Sequence, residues 1–192
     1  MQRLLLKHCC IGTFVRDDGG VAAVEFALVV PLLLALYLGS VEGSQMYTAD
    51  RKVAVIASTM ADLVSRERGG IDQSKLDDYF MAASNIIQPL SAAGLGQVVT
   101  FIQVDDDGVA TVRWSSASGS GVPRVANSPF PLAATSQMSQ LARNANGWIV
   151  AAEVTYPYQP LVGYIIKETL NINHAEYFLP RFQEEIVLNT GT

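Results

Sequence analysis

Glu25 is the residue whose position most needs a reason. It lies in VAAVEFALVVPLLLALYLGSV, a run of 21 residues from Val21 to Val41 whose only other ionisable group is the Tyr37 hydroxyl. A carboxylate well inside a bilayer costs about 2.5–3.5 kcal/mol, less near the interface, and such residues are usually functional. Elsewhere the groups able to do chemistry are thinly spread. His174 is the one histidine besides His8, and Glu176, Glu184 and Glu185 are scattered acids with no His/Cys/Asp cluster around them. There is no Gly-rich phosphate loop either, so no catalytic residue is assigned and the chain does not read as an enzyme. The two cysteines, Cys9 and Cys10, are adjacent, a geometry too strained for ordinary bridging, which excludes a disulfide scaffold and a Cys-based zinc cluster. Asp105-Asp106-Asp107-Gly108 lacks the alternating ligands and distant Glu of a calcium loop and reads as a polar hairpin turn. No metal or cofactor is therefore expected. Tyr156-Pro157-Tyr158 with Pro160 reads as a rigid aromatic turn, or as an exposed patch that binds a partner.

Something must position that acid, and composition shows what. Of 192 residues, 16% are charged, against roughly 25% in typical soluble domains, and 49% are hydrophobic. That balance excludes intrinsic disorder. With 13 Lys+Arg against 18 Asp+Glu there is no basic face for nucleic acid. The apolar excess is concentrated in the Val21–Val41 run, and about 20 helical residues span a bilayer core. Leu38-Gly39-Ser40 and Gly43 imitate a signal-peptidase site, but the run is too long for a secretory signal and a helical pattern continues beyond it. The reading is a retained membrane helix. Arg3, Lys7 and Arg16 precede it and Arg51 and Lys52 follow, a weak bias that puts the N-terminus in the cytoplasm and the bulk of the chain outside.

Past the run, Met46, Ala49, Val53, Ile56, Met60 and Leu63 recur in steps of three and four, one stripe on a helix. The stripe is expected to pack on the protein's own sheet. Gly69-Gly70 then stop the helix, so a single helix of 48 residues is expected from Val21 to Arg68, kinked at Pro31. Ala35, Gly39 and Gly43, spaced by four, offer a small-residue face for close helix packing. A second helix opens after Ser74 or Asp72 as N-cap, presents Leu76, Phe80, Ala83 and Ile87, and closes at Pro89. The period then becomes two, over Val98–Val104 and Val109–Trp114. Ser115–Pro123 reads as a flexible loop and Ser136–Arg143 as a short helix. Trp148–Tyr156 reads as a strand buried on both faces, with Thr169–Leu179 and Glu185–Leu188 as further strands. The expected fold is α+β, a long helix leading into a short helix and a small antiparallel sheet.

With the elements placed, Gly20, Val21 and Glu25 acquire a second meaning. A glycine just before an apolar helix, with a glutamate five residues later, resembles the processing site of type IV prepilins. GVAAVEFALVVPLLL and a Tyr-containing outer helix resemble the TadE-like minor pilins of tight-adherence (Tad/Flp) pilus systems, with STMADLVSR (58–66), DDDGVATVRWS (105–115), AAEVTYPYQPLVGYII (151–166) and YFLPR (177–181) as further likenesses. The resemblance implies a pilin-like fold and cleavage after Gly20 by a prepilin peptidase at the cytoplasmic face. It implies that Glu25 neutralises the new α-amino group of Val21 on a neighbouring subunit. The bare residues also admit an interfacial Glu25 that snorkels to water. On this reading residues 1–20 are a leader, 21–42 a membrane helix, 43–70 its outer extension and 71–192 a periplasmic α+β domain, anchored once in the inner membrane. The implied partners are inner-membrane lipid, the peptidase, other pilin subunits and the pilus assembly platform. The Asp17-Asp18 pair departs from the basic leaders of prepilins. Losing the leader would remove both cysteines and leave 10 basic against 16 acidic residues, which suits an oxidising compartment. Two other readings remain open: an uncleaved single-pass scaffold of the assembly machine, and a membrane-tethered enzyme or sensor with a ligand-binding outer domain.

Overall fold

The computed structural model describes residues 18–132, 136–144, 146–160 and 168–190. Most of the leader, including both cysteines, and the 161–166 part of the family-like blocks lie outside the described residues.

Helix α1 is Asp18–Ser65, 48 residues with Pro31 inside it. Its length is as expected but it starts three residues earlier and stops three earlier, at the turn bonds Arg66 N–H to Leu63 O and Glu67 N–H to Val64 O. Gly69, with φ of +70°, shapes the exit four residues later, and Gly70 is already a strand residue. The first part of α1 touches nothing. From Gly20 to Tyr37 only Val30 is less than exposed, whereas Ala49, Val53, Ile56, Ala57, Met60, Ala61 and Val64 are fully buried. Burying a side chain such as Ile56 or Met60 contributes about 1.5–3 kcal/mol, so this face holds the helix to the domain. Met46 and Leu63, at the ends of the expected stripe, are not buried: Met46 precedes the covered stretch, and at the other end the buried position is Val64.

The short strand β1 (Gly70–Asp72) pairs parallel with β6 (Val187–Asn189), a two-stranded ribbon the sequence pattern did not reveal. Asp72 is the N-cap of α2 (Gln73–Ser84), though its side chain makes no cap bond. A 3₁₀ turn at Asn85–Ile87 follows. The main sheet is antiparallel, ordered β3-β2-β4-β5, with β2 Gly96–Val104, β3 Ala110–Gly119, β4 Trp148–Tyr158 and β5 Leu170–Phe178. Helix α3 is Gln137–Asn144. One sheet face carries Val99, Phe101, Val150, Ala152, Val154, Tyr156 and Tyr158 onto α1 and α2. The other carries Ile102, Val112, Ile149 and Ala151 under Phe130 and Ala142. Burial on both faces is why β4 reads apolar at both parities.

Two sequence readings are corrected here. Ser115–Gly119 is strand, not loop: its small side chains pair with Gly96–Thr100, and Ser115 Oγ lies 3.0 Å from Thr100 Oγ1. Tyr156-Pro157-Tyr158 is the end of β4, not a turn, and both tyrosines are buried, which also removes the exposed aromatic patch. Burial of two aromatic rings outweighs the ladder bond that proline cannot donate. A bulge between Phe101 and Ile102 leaves Arg113 extra in β3, where it reaches Glu185 at 2.9 Å. Beside it Trp114 Nε1 donates to Ile186 O at 2.6 Å, tying the C-terminal ribbon to the sheet.

Candidate functional site

The residues singled out from the sequence all lie on the free part of α1. Gly20 stands in its first turn, and a side chain placed there would meet nothing within 4 Å. The sequence places Gly20 just before the helix and the structure has it inside the first turn; first turns lack half their intrahelical bonds and open most easily. Val21 is 67% exposed, and Glu25, one turn on, is exposed too. The 21 residues from Val21 to Val41 span about 31 Å at 1.5 Å each, matching a bilayer core. No other described helix is long and apolar enough to cross a membrane. Ala35, Gly39 and Gly43 follow at four-residue spacing. Ala35 and Gly43 are exposed, Gly39 partly covered, and a side chain at Gly43 would meet nothing within 4 Å. Two of the three positions on this face are thus bare within one chain.

A second cluster, which the sequence did not single out, joins α1 to the domain just beyond the apolar run. Glu42 is buried, 3% exposed, and its charge acts on the Tyr158 hydroxyl. Burial first, then that charge, pushes the Tyr158 hydroxyl above the ordinary tyrosine range. About two helical turns further on, His174 Nε2 of β5 meets Asp50 Oδ1 at 2.8 Å. Lys52 Nζ donates to the carbonyls of Ile86, at 2.9 Å, and Gln88. At the far end Asp62 accepts from both Arg66 and Arg181, and Arg181 N–H donates to Ser65 O at 2.8 Å. Periodicity could not show these contacts, because all but the four-residue Asp62–Arg66 pair join α1 to a residue more than thirty positions away.

The comparison with family models finds a match along α1. Residues 20–62 match the family described as TadE-like protein. Over that segment the chain is TadE-like. No curated protein matches, and no solved structure does. The TadE-like match runs from the first turn of α1 almost to its end, so it takes in Gly20, Val21, Glu25 and the small-residue face. It stops at 62, so the blocks at 105–115, 151–166 and 177–181 fall outside it, and 58–66 mostly within. The match relates residues 20–62 to the TadE-like family, and α1, which carries them, is long and apolar enough to cross a membrane.

Proposed function

We propose that this chain is a minor pilin-like component of a Tad/Flp-type adhesive pilus, cut after Gly20 by a prepilin peptidase and inserted through α1. The carrying observation is the contrast along α1: an acid one turn from Val21 on a helix half that touches nothing, continued by a half that is buried. A helix half that its own domain leaves bare is available first to lipid and then to other subunits. In this reading Glu25 accepts the charge of the Val21 amino group on a neighbour, replacing a desolvated carboxylate by a pair. Ala35, Gly39 and Gly43 let neighbouring backbones approach. Residues 1–20 are the leader, and the domain beyond residue 42 lies in the periplasm, with the inner membrane as the store of unassembled subunits. The assembly platform and other pilins are its partners.

The helical state of Gly20 favours a second reading, an uncleaved single-pass scaffold, because a protease requires an extended scissile bond and α1 already includes Asp18–Gly20. N-terminal sequencing of the protein from strains with and without prepilin peptidase separates the two. The pilin reading requires Val21 first in one strain and Met1 in the other; Met1 in both supports the scaffold.

A further inference from the structure

A cavity of about 590 Å³ opens between α1 and the end of β4, walled by Gln45, Thr48 and Lys52 on one side and by Leu90, Tyr156 and Pro157 on the other. Its volume is that of a specific binding site. The walls are mainly apolar, yet Lys52 brings an ammonium into them. Two of its three N–H groups go to neutral carbonyls, so its charge is not cancelled there. Among the described residues no carboxylate forms an ion pair with Lys52 or with the exposed Arg51 beside it.

The complement of this groove is at the other end of the same domain. The β2–β3 turn exposes Asp105, Asp106 and Asp107, and next to them Val109 is 52% exposed. The turn is held firmly: Gly108 N–H donates to Asp105 O at 3.0 Å and Val109 N–H to Asp105 Oδ1 at 2.8 Å. What projects is a rigid turn with three exposed carboxylates and an apolar shoulder, backed by Arg143, whose guanidinium donates to the Asp106 carbonyl at 3.1 Å. We propose that the groove receives this turn from a second copy of the chain, Asp106 and Asp107 facing Lys52 and Arg51 while Val109 seats against Leu90 and Pro157. The proposal rests on the pilus reading, in which subunits are stacked.

Geometry restricts when the contact forms. Pairing registers put Gln103 by Trp148 at one end of β4 and the groove at Tyr156 and Pro157 at the other. The 11 residues of β4 separate these ends by about 33 Å. A contact between opposite ends is heterologous: it passes from copy to copy, giving an open fibre unless the rotation between copies closes a ring. Strand β5 follows α1, with His174 at Asp50 and Phe178 beside Ser58 and Asp62, and β4 is paired to it. Two copies at equal depth in a bilayer therefore hold knob and groove up to about 33 Å apart in height, and one copy must be raised before they meet. A lipid headgroup is the poorer occupant. Lys52 lies 11 residues past Val41, about 16 Å along α1, beyond a headgroup layer of about 5–8 Å.

The test uses the full chain with Cys9→Ser and Cys10→Ser, one tagged form carrying Leu90→Cys and another Val109→Cys. Oxidation should give the mixed disulfide in detergent solution and in sheared fibres, but not in intact membranes. Asp106→Lys with Asp107→Lys should lower its yield about fivefold or more. Arg51→Glu, which spares the Lys52 bonds, should lower it too, and combining the two reversals should restore it. Absence of the mixed disulfide in detergent and fibres, or equal yield after charge reversal, overturns the proposal, as does equal yield in intact membranes. Protection of Leu90→Cys from a thiol reagent by phosphatidylglycerol vesicles, without the disulfide, assigns the groove to lipid and also overturns it. A protein that keeps Met1 yet forms the disulfide leaves this contact standing and removes the pilin reading alone.

Discussion

His174 Nε2 sits 2.8 Å from Asp50 Oδ1, so the edge strand β5 is fastened to α1 about two turns beyond the apolar run. The two residues are 124 positions apart in the chain. The bond fixes where the domain sits on the helix. Asp50→Ala and His174→Ala should each destabilise the domain by about 1 kcal/mol, a typical net value for one hydrogen bond. The double variant should cost less than the two added together, because both remove the same contact. Denaturant unfolding of the detergent-solubilised protein measures this, and additive losses would show that the contact contributes nothing.

The two halves of α1 should respond oppositely to truncation. Ile56 is fully buried, and Ile56→Ala should cost about 2–5 kcal/mol through lost burial and the cavity left behind. Val29 is 43% exposed on the free half, and Val29→Ala should leave domain unfolding within about 0.5 kcal/mol. The same unfolding measurement reads both. A large loss from Val29→Ala would mean the domain covers the free half.

High pH should loosen the domain. Burial pushes the hydroxyls of Tyr79, Tyr156, Tyr158 and Tyr177 above the ordinary value of about 10. Tyr79 is raised further by its hydrogen bond to Glu67, and Tyr177 by the charge of Glu153. Each folded pKa exceeds its unfolded value, so the stabilisation is whole below about 10 and lost as pH climbs through the folded values. Melting temperature followed across that range should fall, and Tyr79→Phe should flatten part of the fall. A melting temperature indifferent to pH there contradicts the burial of these rings.

Much of this architecture was legible because it follows from short-range periodicity. The 3–4 spacing from Ala49 to Met60 marks the buried face of α1, and the apolar run marks its bare half. Alternation located β2 and the first half of β3, and apolar residues at both parities marked β4 as a strand covered on both sides. Ser115–Gly119 escaped, because small polar residues look like loop until a partner strand is known. Tyr156-Pro157-Tyr158 escaped for the reverse reason: proline signals a turn, and only the burial of both rings explains its place at a strand end. The β1–β6 ribbon joins Gly70 to Val187 and has three residues on each side, too few to leave a period. For the candidate site, Gly20, Val21 and Glu25 were readable as types and spacing. The Asp50–His174 and Lys52 contacts were not, since pairings across the fold carry no local signature.

Glu25 should matter for assembly and not for cleavage. Glu25→Ala keeps Gly20 and the apolar run, so processing should continue at a similar rate. Removing the carboxylate leaves the Val21 amino group of a neighbour unpaired in an apolar setting, and incorporation into pili should fail. Sheared pili probed for this subunit give the readout. Normal processing with normal incorporation would show that Glu25 has no pairing role.

The most direct test is the intact mass and first residues of the protein extracted from native membranes. Cleavage after Gly20 requires a polypeptide beginning at Val21, free of both cysteines, with its helix still in the membrane fraction. A polypeptide that begins at Met1, or one recovered in the soluble fraction, contradicts it.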